Sequence, residues 1–174
     1  MRGLIVAGAV LASVIVIVVI AGLLLPRTHR VTSRLALPVP PDSVWAVVRD
    51  IGQLPSWWPD VKGVERVQQD DGQERWRETM GGDMRLVLRI EDAEPPSRMR
   101  SVIEPTGEPF GGEWIYRITP SGAGSVVEIT EDGWVSNPVF RVVSKLIGHH
   151  RTVDSYLSAL ARRFGAPADI QHEG

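Results

Sequence analysis

No cysteine occurs in this 174-residue chain. That absence excludes disulfide stapling, thiolate metal ligation and cysteine nucleophiles, and it leaves the compartment open. Acid is missing from the amino-terminal end. Every Asp and Glu comes after Arg34, whereas Arg2, Arg27, Arg30 and Arg34 flank a single apolar run. The formal net charge is only -2, so everything beyond that run is clearly acidic, which argues against the basic face that nucleic-acid binding needs. The run itself, Leu4 to Leu25, holds no charge and one hydroxyl, Ser13. Beyond it there is no internal repeat and no low-complexity segment. No glycine-rich phosphate loop joins a strand pattern to a helix pattern, and no serine occupies a nucleophile-elbow pattern. Nothing implies a cofactor or a metal. His149-His150 is a poor metal pair, because adjacent helical residues face different ways. The apolar fraction, 43%, is ordinary for a globular protein. The length suits one domain plus an appendage.

What is present begins with that apolar run. As a helix, Leu4 to Leu25 spans roughly 33 Å, the thickness of a hydrocarbon core. The expectation is a retained single-pass anchor over residues 1–25. The alternative is a cleaved signal peptide, but its apolar region is usually only about 7–15 residues long. The small-residue cleavage pattern is also poor, since Ala21-Gly22 runs into three leucines. Three arginines follow the span and only Arg2 and the amino terminus precede it, so the positive-inside rule puts the domain on the cytoplasmic side. Residues 26–33 read as a basic tether. Its arginines either stay solvated or touch anionic head groups, at roughly 1 kcal/mol each.

The domain is expected over 34–166, with a tail at 167–174. Val31 to Leu37 alternates as a first strand and ends at Pro38, Pro40 and Pro41. A short helix opens at Pro41-Asp42-Ser43, with Val44, Trp45, Val47 and Val48 as its buried side. A second short helix or turn carries Trp57 and Trp58 between Pro55 and Pro59. Six strand patterns then alternate with turn signals: Val61 to Gln69, Glu74 to Met80, Met84 to Ile90, Arg98 to Ile103, Glu113 to Thr119 and Ser125 to Trp134. Asp71-Gly72 and Gly81-Gly82 are hairpin turns, since glycine tolerates positive φ, and Gly111-Gly112 reads the same way. Last comes a predicted helix from the N-cap Asn137 to Phe164, about 40 Å long, stopped by Gly165 and Pro167. Val139, Val142, Val143, Leu146, Ile147, Val153, Leu157, Leu160, Ala161 and Phe164 form its apolar stripe. Arg141, Lys145, Arg151, Ser155, Ser158 and Arg162 lie outside the stripe. A helix that long must lie along a curved sheet.

The residues 41–50, Pro-Asp-Ser-Val-Trp-Ala-Val-Val-Arg-Asp, and 54–61, Leu-Pro-Ser-Trp-Trp-Pro-Asp-Val, carry a resemblance. With the element order they resemble the START-like, helix-grip (SRPBCC) superfamily, and more closely its polyketide cyclase/dehydrase and lipid-transport branch. The resemblance covers about 31–165; an N-terminal anchor is not part of the family's core pattern. It implies an α+β fold in which about seven antiparallel strands grip the C-terminal helix. It also implies an elongated apolar cavity between sheet and helix. It does not supply the activity.

Strand alternation assigns candidate cavity residues. Trp76, Glu78 and Met80 share a face, as do Met84, Leu86, Leu88 and Ile90. Trp114, Tyr116 and Ile118 share another, and Val127, Ile129 and Glu131 a third. On the predicted helix His150 falls within the stripe and Asp154 at its edge, placed to pair. The candidate ligand-binding set is therefore Trp76, Glu78, Met80, Trp114, Tyr116, Glu131, His150 and Asp154. Two readings stay open for the polar members. Either they orient an amphipathic ligand, or they sit in water or pair with Arg85, Arg100 or each other. The leading functional expectation is a membrane-anchored protein that binds a hydrophobic small molecule or lipid without chemistry. One alternative is a cyclase or dehydratase in which His150 with Asp154, and Glu78, do acid–base work. The other is a membrane-tethered interaction module with a filled cavity.

Overall fold

The computed structural model describes residues 2–69 and 71–173; the side chains of Arg2, Leu4 and Ile5 lie outside the described set. Met1 and Gly174, at the outer ends of the expected anchor and tail, also fall outside it.

The element order is α1 (Arg2–Leu24), β1 (Thr28–Leu37), α2 (Pro41–Arg49), α3 (Leu54–Trp57), β2 (Val61–Val67), β3 (Glu74–Met80), β4 (Arg85–Glu94), β5 (Arg98–Ile103), β6 (Phe110–Ser121), β7 (Gly124–Val135), α4 (Pro138–Ile147), α5 (Arg151–Arg163) and β8 (Ile170–Glu173). All strands form one antiparallel sheet in the order β2-β3-β4-β5-β6-β7-β1-β8. The expected hairpins are present, and the sheet curves around α5. From α5, Val153, Tyr156, Leu157 and Leu160 are all buried. They meet Leu35, Ile118, Val127 and Ile129 from the sheet and Val44 and Val48 from α2. Alternation on the strands and a stripe on the helix bury both faces in one core, where each large aliphatic side chain contributes about 1.5–3 kcal/mol.

Four features depart from the sequence reading. The tail adds an eighth strand: β8 covers the edge of β1, and Arg34 and Asp154 hold it through Glu173 and His172. The expected tether is mostly strand, because Thr28 to Ser33 are paired to β7; α1 reaches β1 through three residues only. Gly111-Gly112 lies inside β6, paired to Trp134 and Gly133, and not in a hairpin turn.

The fourth departure concerns the long helix. It breaks at Gly148, whose φ of 92° and ψ of 135° lie where only glycine is comfortable. The break resets the helical phase. On α5 the stripe faces the core as expected. On α4 it faces outward: Val139, Phe140, Val143, Leu146 and Ile147 are exposed, and the buried residue is Arg141. Arg141 is only 5% exposed and donates to four backbone carbonyls. Nε binds Val135 O at 3.0 Å, Nη2 binds Ser136 O at 2.8 Å, and Nη1 binds Gly22 O at 2.9 Å and Leu25 O at 3.3 Å. The last two are carbonyls at the C-terminal end of α1, where a helix leaves acceptors unpaired and its dipole favours a cation. Gly22 lies so close to α4 that a Cβ there would fall 1.9 Å from Pro138 O. α1 is therefore fastened to the domain through α4. Its Val6–Leu24 stretch is long and apolar enough to cross a membrane and is almost wholly unburied.

Candidate ligand cavity

Between the sheet and the helices lies a cavity of about 350 Å³, at the lower end of the range for small-molecule sites. Its walls are mainly apolar. Met80, Met84, Leu86, Leu88 and Ile90 come from β3, β4 and the turn between them; Met99 and Ile103 come from β5. Trp58, Trp114, Tyr116 and Tyr156 form the aromatic end. The Tyr156 ring meets Trp58 and Trp114 edge-on, at centroid distances of 5.1 and 5.6 Å. Phe140, Val143 and Ile147 of α4 close another side. Methionine-rich walls suit a ligand of irregular shape, because an unbranched thioether repacks at little cost.

Glu78, Glu113 and Glu131 all reach its wall; the Glu113 carboxylate is taken up by Arg100, which leaves Glu78 and Glu131 facing the apolar space. Glu131 accepts from the Trp114 indole at 2.8 Å and pairs with His29 Nε2 at 2.9 Å. His29 in turn stacks on His149, with ring centroids 4.1 Å apart, and His149 Nδ1 lies 3.1 Å from Ser144 Oγ. Burial, with His29 next, pushes the His149 imidazole below its ordinary value. This is a wired polar corner. Glu78 is the opposite case. It is 3% exposed, and its carboxyl is pushed up to about 7 by burial, because among the described residues no cation or hydrogen bond offsets desolvation. Tyr116 and Tyr156 are near enough for Glu78 to add to the rise that burial imposes on their hydroxyls.

Of the eight residues chosen from sequence, Glu78, Met80, Trp114, Tyr116 and Glu131 line the cavity. The other three do not. The Trp76 indole donates to Glu74 at 2.7 Å and its ring lies under Arg66 and beside Gly52, at the outer rim of the core. His150 and Asp154 face β1 and β8. Ser33 Oγ donates to Asp154 Oδ1 at 2.8 Å, His150 Nδ1 lies 3.0 Å from Ser33 Oγ, and Asp154 pairs with His172 at 2.9 Å. The break at Gly148 rotates His150 away from where a continuous helix would put it. Its imidazole is pushed below the usual range by burial and then by His172, against the pull of Asp154. His150, Asp154 and His172 bring one ligand atom each within 4.8 Å of one another; the hydrogen bonds among them and Ser33 already satisfy the Asp154 carboxylate.

Sequence reasoning missed His29, Met99 and Tyr156. His29 had been assigned to the tether. Tyr156 carried a usable signal, since it is three residues from Val153 and four from Leu160, on the buried face of α5.

The profile of the polyketide cyclase / dehydrase and lipid transport family matches residues 28–165. The chain belongs to that family. Solved structures agree on the fold. A Thermus thermophilus protein superposes with a TM-score of 0.65 at 23% identity, covering 78% of this chain and 97% of its own. A START superfamily protein from Mycobacterium smegmatis gives 0.64 at 22%, covering 79% and 97%. The Zhui aromatase/cyclase from Streptomyces gives 0.65 at 16%, covering 79% and 94%. At such identities the likeness carries the START-like, helix-grip fold and nothing finer. No curated protein matches the sequence significantly. In this member of the polyketide cyclase / dehydrase and lipid transport family, the match begins at the first residue of β1, so α1 lies outside it.

Proposed function

We propose that this protein is a membrane-anchored binder of a hydrophobic small molecule or lipid, held in the cavity between the sheet and the C-terminal helices. The observation that carries the reading is the apolar, Met- and Trp-walled cavity in a chain whose first helix is unburied and of membrane-spanning length. The Glu131–His29–Trp114 corner gives a polar ligand group a fixed partner. Glu78, half protonated near neutrality, accepts a hydrogen bond in one form and donates one in the other. Such a site suits a mostly apolar molecule with one hydroxyl or carbonyl. The domain on the cytoplasmic side of a single-pass anchor remains part of the proposal.

The test is uptake of the apolar fluorophore N-phenyl-1-naphthylamine by the full chain in detergent, compared with Leu88→Trp. Leu88 lines the cavity, and an indole there fills much of it. Enhancement by the wild-type chain beyond that of protein-free detergent, and its loss in the variant, are expected. Equal enhancement by both places the probe elsewhere and removes the cavity as the site.

A second reading has its own observation. A buried carboxyl at about 7 beside two tyrosines is what proton transfer to or from a carbonyl compound requires, so a cyclase or dehydratase would use Glu78. The His150–Asp154 pair lies outside the cavity wall and has no part in that reading. Turnover of a poly-carbonyl substrate abolished by Glu78→Gln would support catalysis; binding without turnover would support carriage.

A further inference from the structure

We propose that the outer face of α4 is seated in the lipid bilayer beside α1, so that the mouth of the cavity lies at the level of the membrane. This rests on the anchor reading above and adds a surface to it.

α4 is inverted. A ten-residue helix on a water-soluble surface buries its apolar arc. Here the arc is out and the arginine is in. Leu146 is 80% exposed and Phe140 51%, and with Val139, Val143 and Ile147 they form one continuous apolar strip. By helical spacing that strip lies opposite Arg141. In water, a strip of five large apolar residues on one helix is costly to leave bare. Periodicity is satisfied equally by a protein core or by hydrocarbon.

The occupant follows from what α4 is joined to. Arg141 and the close approach at Gly22 hold α4 against the last turns of α1. Gly22 lies inside the stretch Val6–Leu24 that is long enough to span. If those turns are in or just under the head groups, α4 cannot be far from them. An amphipathic helix at that depth places its apolar face in the acyl boundary. The cavity completes the picture: Phe140, Val143 and Ile147 line it while belonging to the strip. One helix is therefore both the bilayer-facing surface and a wall of the cavity, and an apolar ligand could pass between lipid and cavity without crossing water.

The absence of cysteine makes the test clean, because a single introduced thiol is the only site of labelling. The full chain is reconstituted in phosphatidylcholine vesicles as Val14→Cys, Leu146→Cys or Arg162→Cys, each carrying an environment-sensitive NBD label. Quenching is read with nitroxide-bearing phosphatidylcholine and with aqueous iodide. Val14 reports the anchor, Leu146 the α4 face, and Arg162 the exposed far end of α5. The expected result is a blue-shifted emission and lipid quenching at Val14 and Leu146, with iodide quenching at Arg162. Lipid quenching at Val14 with iodide quenching at Leu146 overturns the inference and leaves the anchor standing. A Leu146 label reached by neither quencher marks a protein covering the strip, a second copy of this chain included, and also overturns it. Iodide quenching at all three positions overturns the anchor reading and this inference together.

Discussion

Replacing Glu78 by glutamine should stabilise this protein at alkaline pH and leave it nearly unchanged in acid. Glu78 is buried on β3, and its carboxyl is pushed from 4.5 to about 7 by desolvation. The folded state therefore holds a proton that the unfolded chain releases. Below the unfolded value both states are protonated, and the residue behaves as a neutral acid. As pH rises from about 4.5 to 7, the unfolded state ionises first and native stability falls by 1.36 kcal/mol per unit. Above 7 the loss is complete, at about 3 kcal/mol, the shift multiplied by that factor. Glutamine has the same shape and no charge, so it escapes the loss. Urea unfolding of the full chain in non-ionic detergent, followed by tryptophan emission, measures the difference. The variant should gain about 3 kcal/mol at about pH 8 and much less than 1 kcal/mol near pH 4. A difference independent of pH, or a variant less stable at about pH 8, would refute the claim that Glu78 lacks a compensating partner.

Other outcomes follow from the same structure. Leu157→Asp puts an unpaired carboxylate at a fully buried position of α5 and should cost several kcal/mol; Ser158→Asp, one residue on and half-buried, should be close to neutral in the same denaturation assay. Gly22→Leu cannot be accommodated against Pro138, so α1 should detach from α4. Protease sensitivity at residues 24–27 should rise while the circular dichroism of the sheet persists. His149 and His150 both have imidazoles lowered by burial, so the stability they lend is present above the ordinary histidine value and is lost as pH falls through the lowered one. Hydrogen-exchange protection at the α4–α5 joint, measured relative to the intrinsic amide rate at each pH, should fall in acid, and protection indifferent to pH would contradict that burial.

Much of the fold was legible from sequence because two periods carry it. Alternation on β3, β6 and β7 put Glu78, Met80, Trp114, Tyr116 and Glu131 on the inner face, and the 3.6-residue stripe of α5 found Val153, Leu157 and Leu160. The proline-led α2 and the Trp57-Trp58 turn pointed to the family. What periodicity cannot express is the medium on the far side of an apolar face. The α4 stripe looked like core, yet Arg141 is the buried residue, because four backbone carbonyls satisfy its guanidinium. The predicted helix ran straight through Gly148, and only the positive φ there shows the break that takes His150 and Asp154 out of the cavity wall. His29 lay in a basic run next to an apolar span, a context that hides a strand. β8 is four residues long and is formed by its pairing with β1, not by a pattern of its own.

Whether the cavity holds a hydrophobic ligand is read by native mass spectrometry of the full chain released from detergent. The expected result is a bound species of small-molecule or lipid mass at near-stoichiometric occupancy, lost in Leu88→Trp and retained in Ser158→Asp. A chain that appears only unliganded, before and after incubation with a membrane lipid extract, would contradict it.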